Sequence, residues 1–338
     1  MATFEVTSEL YSETNFTTTD TANGNSISKF MFTYPCRDKQ LDDHEKNGKK
    51  DVLKKDSSMV CNDDLYKQSK YLCSQKNSKS VKSGDREDEN LEMPSKNCFM
   101  IDKDGDLLLA RKQQGVIEIE HQKSTNLSLV GLQIWRGALL LADYILHNEK
   151  KFKNRKILEL GSGVGLTSIV SSFFAREVIC TDINVGGLLD LIQANIARNA
   201  YLSDPECKVS VTELDFTTKY EDYSDDLKNQ LQDVEYVITA DVIYDDTITE
   251  AFVLTLESLL LELPKLKSVY IALEKRYVFT LEDMDSVAPS YEHFLRVFYK
   301  RNKRFGITRW KLSQVSLNFP RYFEYEKVKE LVLIKISN

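Results

Sequence analysis

The chain has no run of the roughly 18 to 20 apolar residues that a membrane-spanning helix needs, although 42% of its 338 residues are hydrophobic. A membrane span is therefore not expected. The opening MATFEVTSEL also lacks the basic-then-apolar order of a secretory leader, so an intracellular location is expected. Cysteine is scarce: the six, at positions 36, 61, 73, 98, 180 and 207, form no Cys-x-x-Cys pair. That spacing speaks against a disulfide framework and a zinc ribbon alike. His44, His121, His147 and His293 stand far apart and offer no ligand pair. Basic residues are outnumbered, 45 to 52, and a net charge of -7 argues against broad electrostatic binding of nucleic acid. No internal repeat is evident.

What is present changes character near Cys98. From Arg37 to Lys96, Lys, Asp, Asn, Ser and Glu dominate, with too few apolar residues to offset the entropy of ordering. This stretch is expected to be mostly disordered. Residues 1–98 thus read as an N-terminal extension and 99–338 as the folded domain. Within the extension, SISKFMFTYP has strand composition and is able to pair with a sheet further on. GDLLLARKQQGVIEIEHQ has two partly alternating apolar runs around Gly115, the pattern of a β-hairpin at the start of the domain.

From Gln133 the chain alternates regularly. QIWRGALLLADYILHN has helical spacing, and KILEL is a short buried strand. EVICTD, KVSVTELDF, VEYVITAD and KSVYIALE follow as strands, separated by the helical LTSIVSSFFA, GGLLDLIQANIARN and TITEAFVLTLESLLLEL. After the helical YEHFLRVFYKR, the runs RFGITRWKL and ELVLIKI suggest a terminal antiparallel hairpin. The fold class is α/β: a doubly wound, Rossmann-like sheet of seven strands with helices on both faces.

In such a sheet ligands bind at the carboxyl ends of the strands, first at the turn after the first strand. ILELGSGVGLTS places Gly161, Gly163 and Gly165 there. The third glycine of a dinucleotide fingerprint is due at position 166, which is Leu166, so the pattern is Gly-x-Gly-x-Gly. Glu159 beside the turn repels a pyrophosphate but suits the ammonium of an amino acid. Asp182 closes the second strand, 21 positions after Gly161, where a carboxylate accepts ribose hydroxyls. Ammonium and ribose together describe S-adenosylmethionine.

LELGSGVGL, TDIN, ELDF and ADVIYDD, preceded by GLQIWRGALLLADYI, resemble the seven-β-strand protein lysine methyltransferases, the methyltransferase-like family 21 group. The resemblance runs from about Gly115 to Asn338. It implies an enzyme that transfers methyl groups from S-adenosylmethionine to a lysine of a non-histone protein. It also implies that Trp135 borders the cofactor, that Asp215 and Phe216 meet its adenine, and that Ala240 lies beside it. The family's Asp-x-x-Tyr motif falls on Asp241 and Tyr244, the candidate catalytic pair. Phe216 stands where relatives often carry Trp.

The residues themselves allow that chemistry. A lysine nucleophile must lose a proton, which from a pKa near 10.4 costs about 4 to 5 kcal/mol at neutral pH. Asp241 is placed to orient the ammonium, and Tyr244 to wall the channel and contact the cation. A capping role for Asp241 at the next helix fits the same spacing. Base N-methylation is disfavoured because ADVIYDD holds no proline pair, and the Pro-Cys pair that carbon methylation uses is likewise missing from that stretch. A small-molecule methyltransferase using Asp245 and Asp246, or an inactive cofactor-binding scaffold, remains an alternative. The partner expected is a protein substrate met by a monomer, with no direct nucleic acid or membrane. EKNGKKDVLKK reads first as a solvated charge run and second as a weak nuclear import signal, and nucleus and cytoplasm are the expected locations.

Overall fold

The computed structural model describes residues 5–13, 17–34, 100–101, 107–108, 114–280, 285–305 and 309–337. Two compact units emerge, Met1–Cys36 together with Lys112–Asn338, and Arg37–Arg111. In the second unit the described residues are one antiparallel pair, Met100–Ile101 with Leu107–Leu108. The expected disorder over 37–96 and the lysine-rich run fall outside the described residues.

In the first unit, β1 (Ser26–Thr33) pairs antiparallel with β2 (Gln114–His121). Alternation explains both strands: Phe30 and Phe32 of β1 are buried, as are Ile117 and Ile119 of β2. The expected division at residue 98 therefore does not follow the compact units, because β1 brings its apolar face into the same core as β2. The hairpin expected around Gly115 is also replaced. Gly115 lies inside β2 opposite Phe32, where its missing side chain leaves room for the Phe32 ring.

The elements that build the main sheet and its cover are α1 (Arg136–His147), β3 (Lys156–Leu160), α2 (Leu166–Ser171), β4 (Glu177–Asp182), α3 (Leu188–Arg198), β5 (Lys208–Glu213), α4 (Asp225–Leu231), β6 (Tyr236–Ala240), α5 (Asp246–Glu262), β7 (Ser268–Glu274), α6 (Pro289–Asn302), β8 (Lys311–Gln314) and β9 (Leu331–Ser337). The sheet order is β5-β4-β3-β6-β7-β9-β8. The first five strands are parallel, and β9 runs antiparallel to both β7 and β8. This is the expected seven-stranded sheet with its C-terminal antiparallel hairpin. Every residue of β3 is buried, as a central parallel strand covered on both faces requires. One core joins α1, α2 and α3 to the sheet and to β1 and β2; the other gathers α4, α5 and α6.

Local signals set the helix limits. Asp245 Oδ1 accepts from the Ile248 amide at 2.9 Å to start α5, Ser224 Oγ accepts from Leu227 N at 3.1 Å to start α4, and Pro289 opens α6. Leu127–His147 passes a length and composition test for a membrane span, against the expectation above. Extended backbone at Gln133 and Trp135 breaks it into a 3₁₀ segment and α1, and 72% of its apolar window is buried in the protein.

The chain order reverses at β3, whose neighbours are β4 and β6, so a crevice opens at their carboxyl ends. An N-terminal strap borders it. Glu5–Val6 pairs with Thr125–Asn126, and Ser8 N donates to Gln133 Oε1 at 2.9 Å. Ile134 N donates to the Tyr11 hydroxyl oxygen at 2.9 Å, and Arg136 meets Glu13 at 2.8 Å.

Candidate active site

The turn after β3 is tight for a steric reason. Gly161 has φ +64°, and a Cβ there would lie 2.6 Å from Val242 Cγ1. Gly163 has φ +53°, and its Cβ would lie 3.2 Å from the Gly131 carbonyl oxygen. Both the left-handed backbone and the close neighbours demand glycine. The turn opens onto a cavity of about 110 Å³ whose lining includes Trp135, Gly161, Gly163, Asp182, Asp215, Phe216, Ala240, Asp241 and Tyr244. Residues far apart in sequence are thus brought together as expected.

Glu159 and Gly165 are not in that lining. Glu159 is buried under the first turn of α2, where the hydroxyls of Thr167 and Ser168 donate to its carboxylate. Burial pushes its carboxyl up to about 8, with the charge of Asp182 adding to the rise and the Ser168 hydrogen bond opposing it. The carboxylate expected to meet an ammonium thus lies outside the cavity lining, held by two hydroxyls of α2. Strand alternation turns its side chain toward the helix, and it braces the strand-to-helix junction. Gly165 likewise serves packing, since a Cβ there would sit 3.3 Å from Ile192 Cγ2.

Asp182, at the end of β4, accepts from Gly163 N at 2.8 Å through Oδ2 and from Ile183 N at 2.8 Å through Oδ1. Burial raises its carboxyl to about 6 against these two hydrogen bonds. Asp215 Oδ1 accepts from the amide and the hydroxyl of Thr217, both at 2.8 Å, which fixes the loop after β5. The Phe216 ring packs 5.3 Å from that of Phe252, on α5. Tyr244 is largely enclosed, and burial pushes its hydroxyl up to about 12, helped by the charges of Asp182 and Asp245.

Asp241 is the most constrained member of the group. Its φ is +53°, which an L-residue adopts only under compulsion. The compulsion is visible: Oδ2 accepts from Gly137 N at 2.6 Å and Oδ1 from Glu274 N at 2.9 Å. One carboxylate thus joins the ends of β6 and β7 to the first turn of α1, where free amides favour an anion. Burial raises the Asp241 carboxyl to about 6, while these amides and the Arg276 charge hold it down. The capping alternative takes a different form from the one expected. Asp245 caps the helix that follows, and Asp241 caps α1.

A roof over the cavity had no recognisable signal in the sequence. Leu129, Val130 and Gly131, from the segment Leu127–Leu132, line it, together with the apolar Ile183, Leu188, Val242 and Ile248. Trp135 Nε1 donates to Val130 O at 3.0 Å and ties this roof to the start of α1. Leu129 packs against Gly186, on the loop after β4. The roof's position depends on the N-terminal strap, which local pattern does not reveal.

S-adenosylmethionine fits these residues. Each Asp182 oxygen uses one backbone donor and keeps acceptor capacity for ribose hydroxyls. Phe216 presents a flat face to a purine, and the glycine turn lets a ligand approach the backbone.

A lysine methyltransferase family model matches residues 111–288. Human methyltransferase-like protein 22 is 34% identical over 253 residues, 70% of this chain and 62% of the human protein. Its mouse counterpart is 36% identical over 232 residues, covering 65% of this chain and 59% of that protein. The mouse protein-lysine N-methyltransferase EEF2KMT is 29% identical over 213 residues, covering 61% of this chain and 58% of its own length. The chain therefore spans less than two thirds of the length of each of these relatives. With the sheet, the glycine turn and the acidic cavity agreeing, this chain belongs to the lysine methyltransferase family, whose cofactor is S-adenosylmethionine.

Proposed function

We propose that this protein methylates lysine side chains of a protein substrate. The observation that carries the reading is the placement of Asp241, Trp135 and Tyr244 in the same cavity as Asp182 and the glycine turn. An anion and two aromatic faces then meet at the acceptor side of a cofactor site. The names of the relatives that act on protein lysine point the same way.

When bound, the cofactor supplies an electrophilic methyl group on a positively charged sulfur. Asp241 attracts the lysine ammonium and fixes its approach, because two backbone amides hold the carboxylate and each oxygen retains acceptor capacity. The rings of Trp135 and Tyr244 contact the cation through their faces. Desolvation among these rings and beneath the roof favours the neutral amine, so Nζ gives its proton to bulk water, and its lone pair would then form the new N–C bond as the methyl–sulfur bond breaks and the neutral thioether leaves. Asp241 need not be a strong base for this, since its part is alignment.

Single-turnover methylation of a protein substrate tests the assignment. Asp241→Ala is expected to slow transfer by roughly 100-fold or more, while cofactor affinity stays within about threefold. Tyr244→Phe is expected to remain within about threefold of the parent, because the ring face rather than the hydroxyl acts. Near-normal transfer by a folded Asp241→Ala protein would remove the residue from the mechanism.

A further inference from the structure

Beyond Asp241 the acceptor side meets a surface recess whose lining includes three acids, Glu9, Glu274 and Glu330, and three bases, Lys275, Arg276 and Lys329. Two contacts join it to the cavity. Glu274 N holds Asp241 Oδ1, and the Arg276 guanidinium lies 4.9 Å from the Trp135 ring centre. Glu274 itself turns away to pair with Arg136 at 3.2 Å. Lys275 Nζ sits 4.9 Å from the Tyr291 ring, with no carboxylate at ion-pair distance among the described residues. Arg276 pairs with Glu9 of the N-terminal strap at 2.7 Å.

We propose that Arg276, with Lys275 beside it, recognises an acidic side chain neighbouring the target lysine, and that Glu9 occupies this position until substrate arrives. This rests on the lysine reading above and adds the sequence context of the lysine. The Arg276 and Glu9 side chains are 41% and 45% exposed, and so exposed a pair contributes little, so a substrate carboxylate exchanges with Glu9 at little loss. The Arg276 guanidinium lies over the Trp135 ring, and its paired donors match a carboxylate. The charge logic is the same. An ammonium travelling toward Asp241 passes two cations, which a flanking acid neutralises and a flanking base reinforces. Tyr277, Val278 and Phe279, each about half exposed or more, extend the recess with an apolar rim for the rest of the segment.

The test is fluorescence anisotropy on the full chain with two labelled peptides of equal length, in which the acceptor lysine is flanked by glutamates or by glutamines. S-adenosylhomocysteine is added to prevent turnover. At low salt the glutamate peptide is expected to bind about tenfold tighter. Arg276→Gln, checked by thermal melt, should erase most of that preference, and Glu9→Gln should tighten the glutamate peptide by roughly twofold to fivefold. Equal affinities, a preference untouched by Arg276→Gln, or no binding of either peptide would overturn the proposal. In a second incubation with S-adenosylmethionine in place of S-adenosylhomocysteine, charge-selective binding without methyl transfer to the lysine would leave Arg276 its role and remove the lysine reading. Equal methylation of both peptides, with equal affinity, would do the reverse.

Discussion

At the scale of single residues, Asp241 joins two duties that substitutions can separate. Its carboxylate holds the Gly137 and Glu274 amides, so Asp241→Ala leaves two backbone donors without acceptors and is expected to lower the melting temperature as well as turnover, by about 1 to 3 kcal/mol of stability. Asparagine is no gentler a change, because its NH2 group must face one of those donors. Gly137→Ala offers a cleaner view. The added methyl collides with Asp241 Oδ2, so the charge is kept while its placement is lost. Transfer is expected to slow with the charge intact; unchanged single-turnover rates would show that placement does not matter. On the cofactor side, Asp182→Ala should weaken S-adenosylmethionine by roughly 1.5 to 3 kcal/mol, read by calorimetric titration. Gly163→Arg should abolish binding, because the left-handed backbone and the Gly131 carbonyl oxygen 3.2 Å from an added Cβ leave the turn unable to keep its shape; unchanged affinity in a folded variant would contradict this.

At the scale of elements, the roof depends on a strap far from it in sequence. Ser8, Tyr11 and Glu13 hold Gln133, Ile134 and Arg136, the junction between the roof and α1. Removing residues 1–13 breaks several hydrogen bonds worth about 1 kcal/mol each. Cofactor affinity should fall by about tenfold or more, and a truncated chain binding as tightly as the parent would show that the roof stands alone. This division also explains what was legible in the sequence. β3, β4, β6 and β7 are short apolar runs bounded by polar turns, and their ends carry Asp182, Asp241 and the glycines, so local pattern located most of the cavity. The burial of Glu159 against α2 is not legible, because proximity in sequence to the turn says nothing about which face of β3 a side chain takes. The strap and roof were missed because their positions come from pairings across more than 100 residues, such as Ser8 with Gln133.

At the scale of the whole molecule, several buried carboxylates set the response to pH. Burial raises Glu159 to about 8 and Asp143, buried within α1, to about 7, both far above their unfolded values near 4. The folded chain therefore binds more protons than the unfolded one between those limits. Their contribution is fully present below about pH 4 and is lost as pH rises through about 7 to 8. His121 acts in the opposite sense, since burial lowers it from its ordinary 6.5, and it is neutral in both states above that value. Between about pH 6.5 and pH 8 the cofactor-free protein should thus melt at progressively lower temperature, and Glu159→Gln should flatten the trend. A parent profile as flat as the variant's would mean that Glu159 is ionised throughout.

The central claim joins the glycine-turn cavity to methylation of protein lysine, and one labelling measurement tests both ends. The full chain is incubated with S-adenosylmethionine carrying a labelled methyl group and a cell extract, and the proteins are hydrolysed for amino-acid analysis, with the Asp182→Ala chain in parallel. Label recovered as methylated lysine, and sharply reduced by Asp182→Ala, is the expected result. Label on another amino acid or on small molecules, or labelling that Asp182→Ala leaves undiminished, would contradict the account.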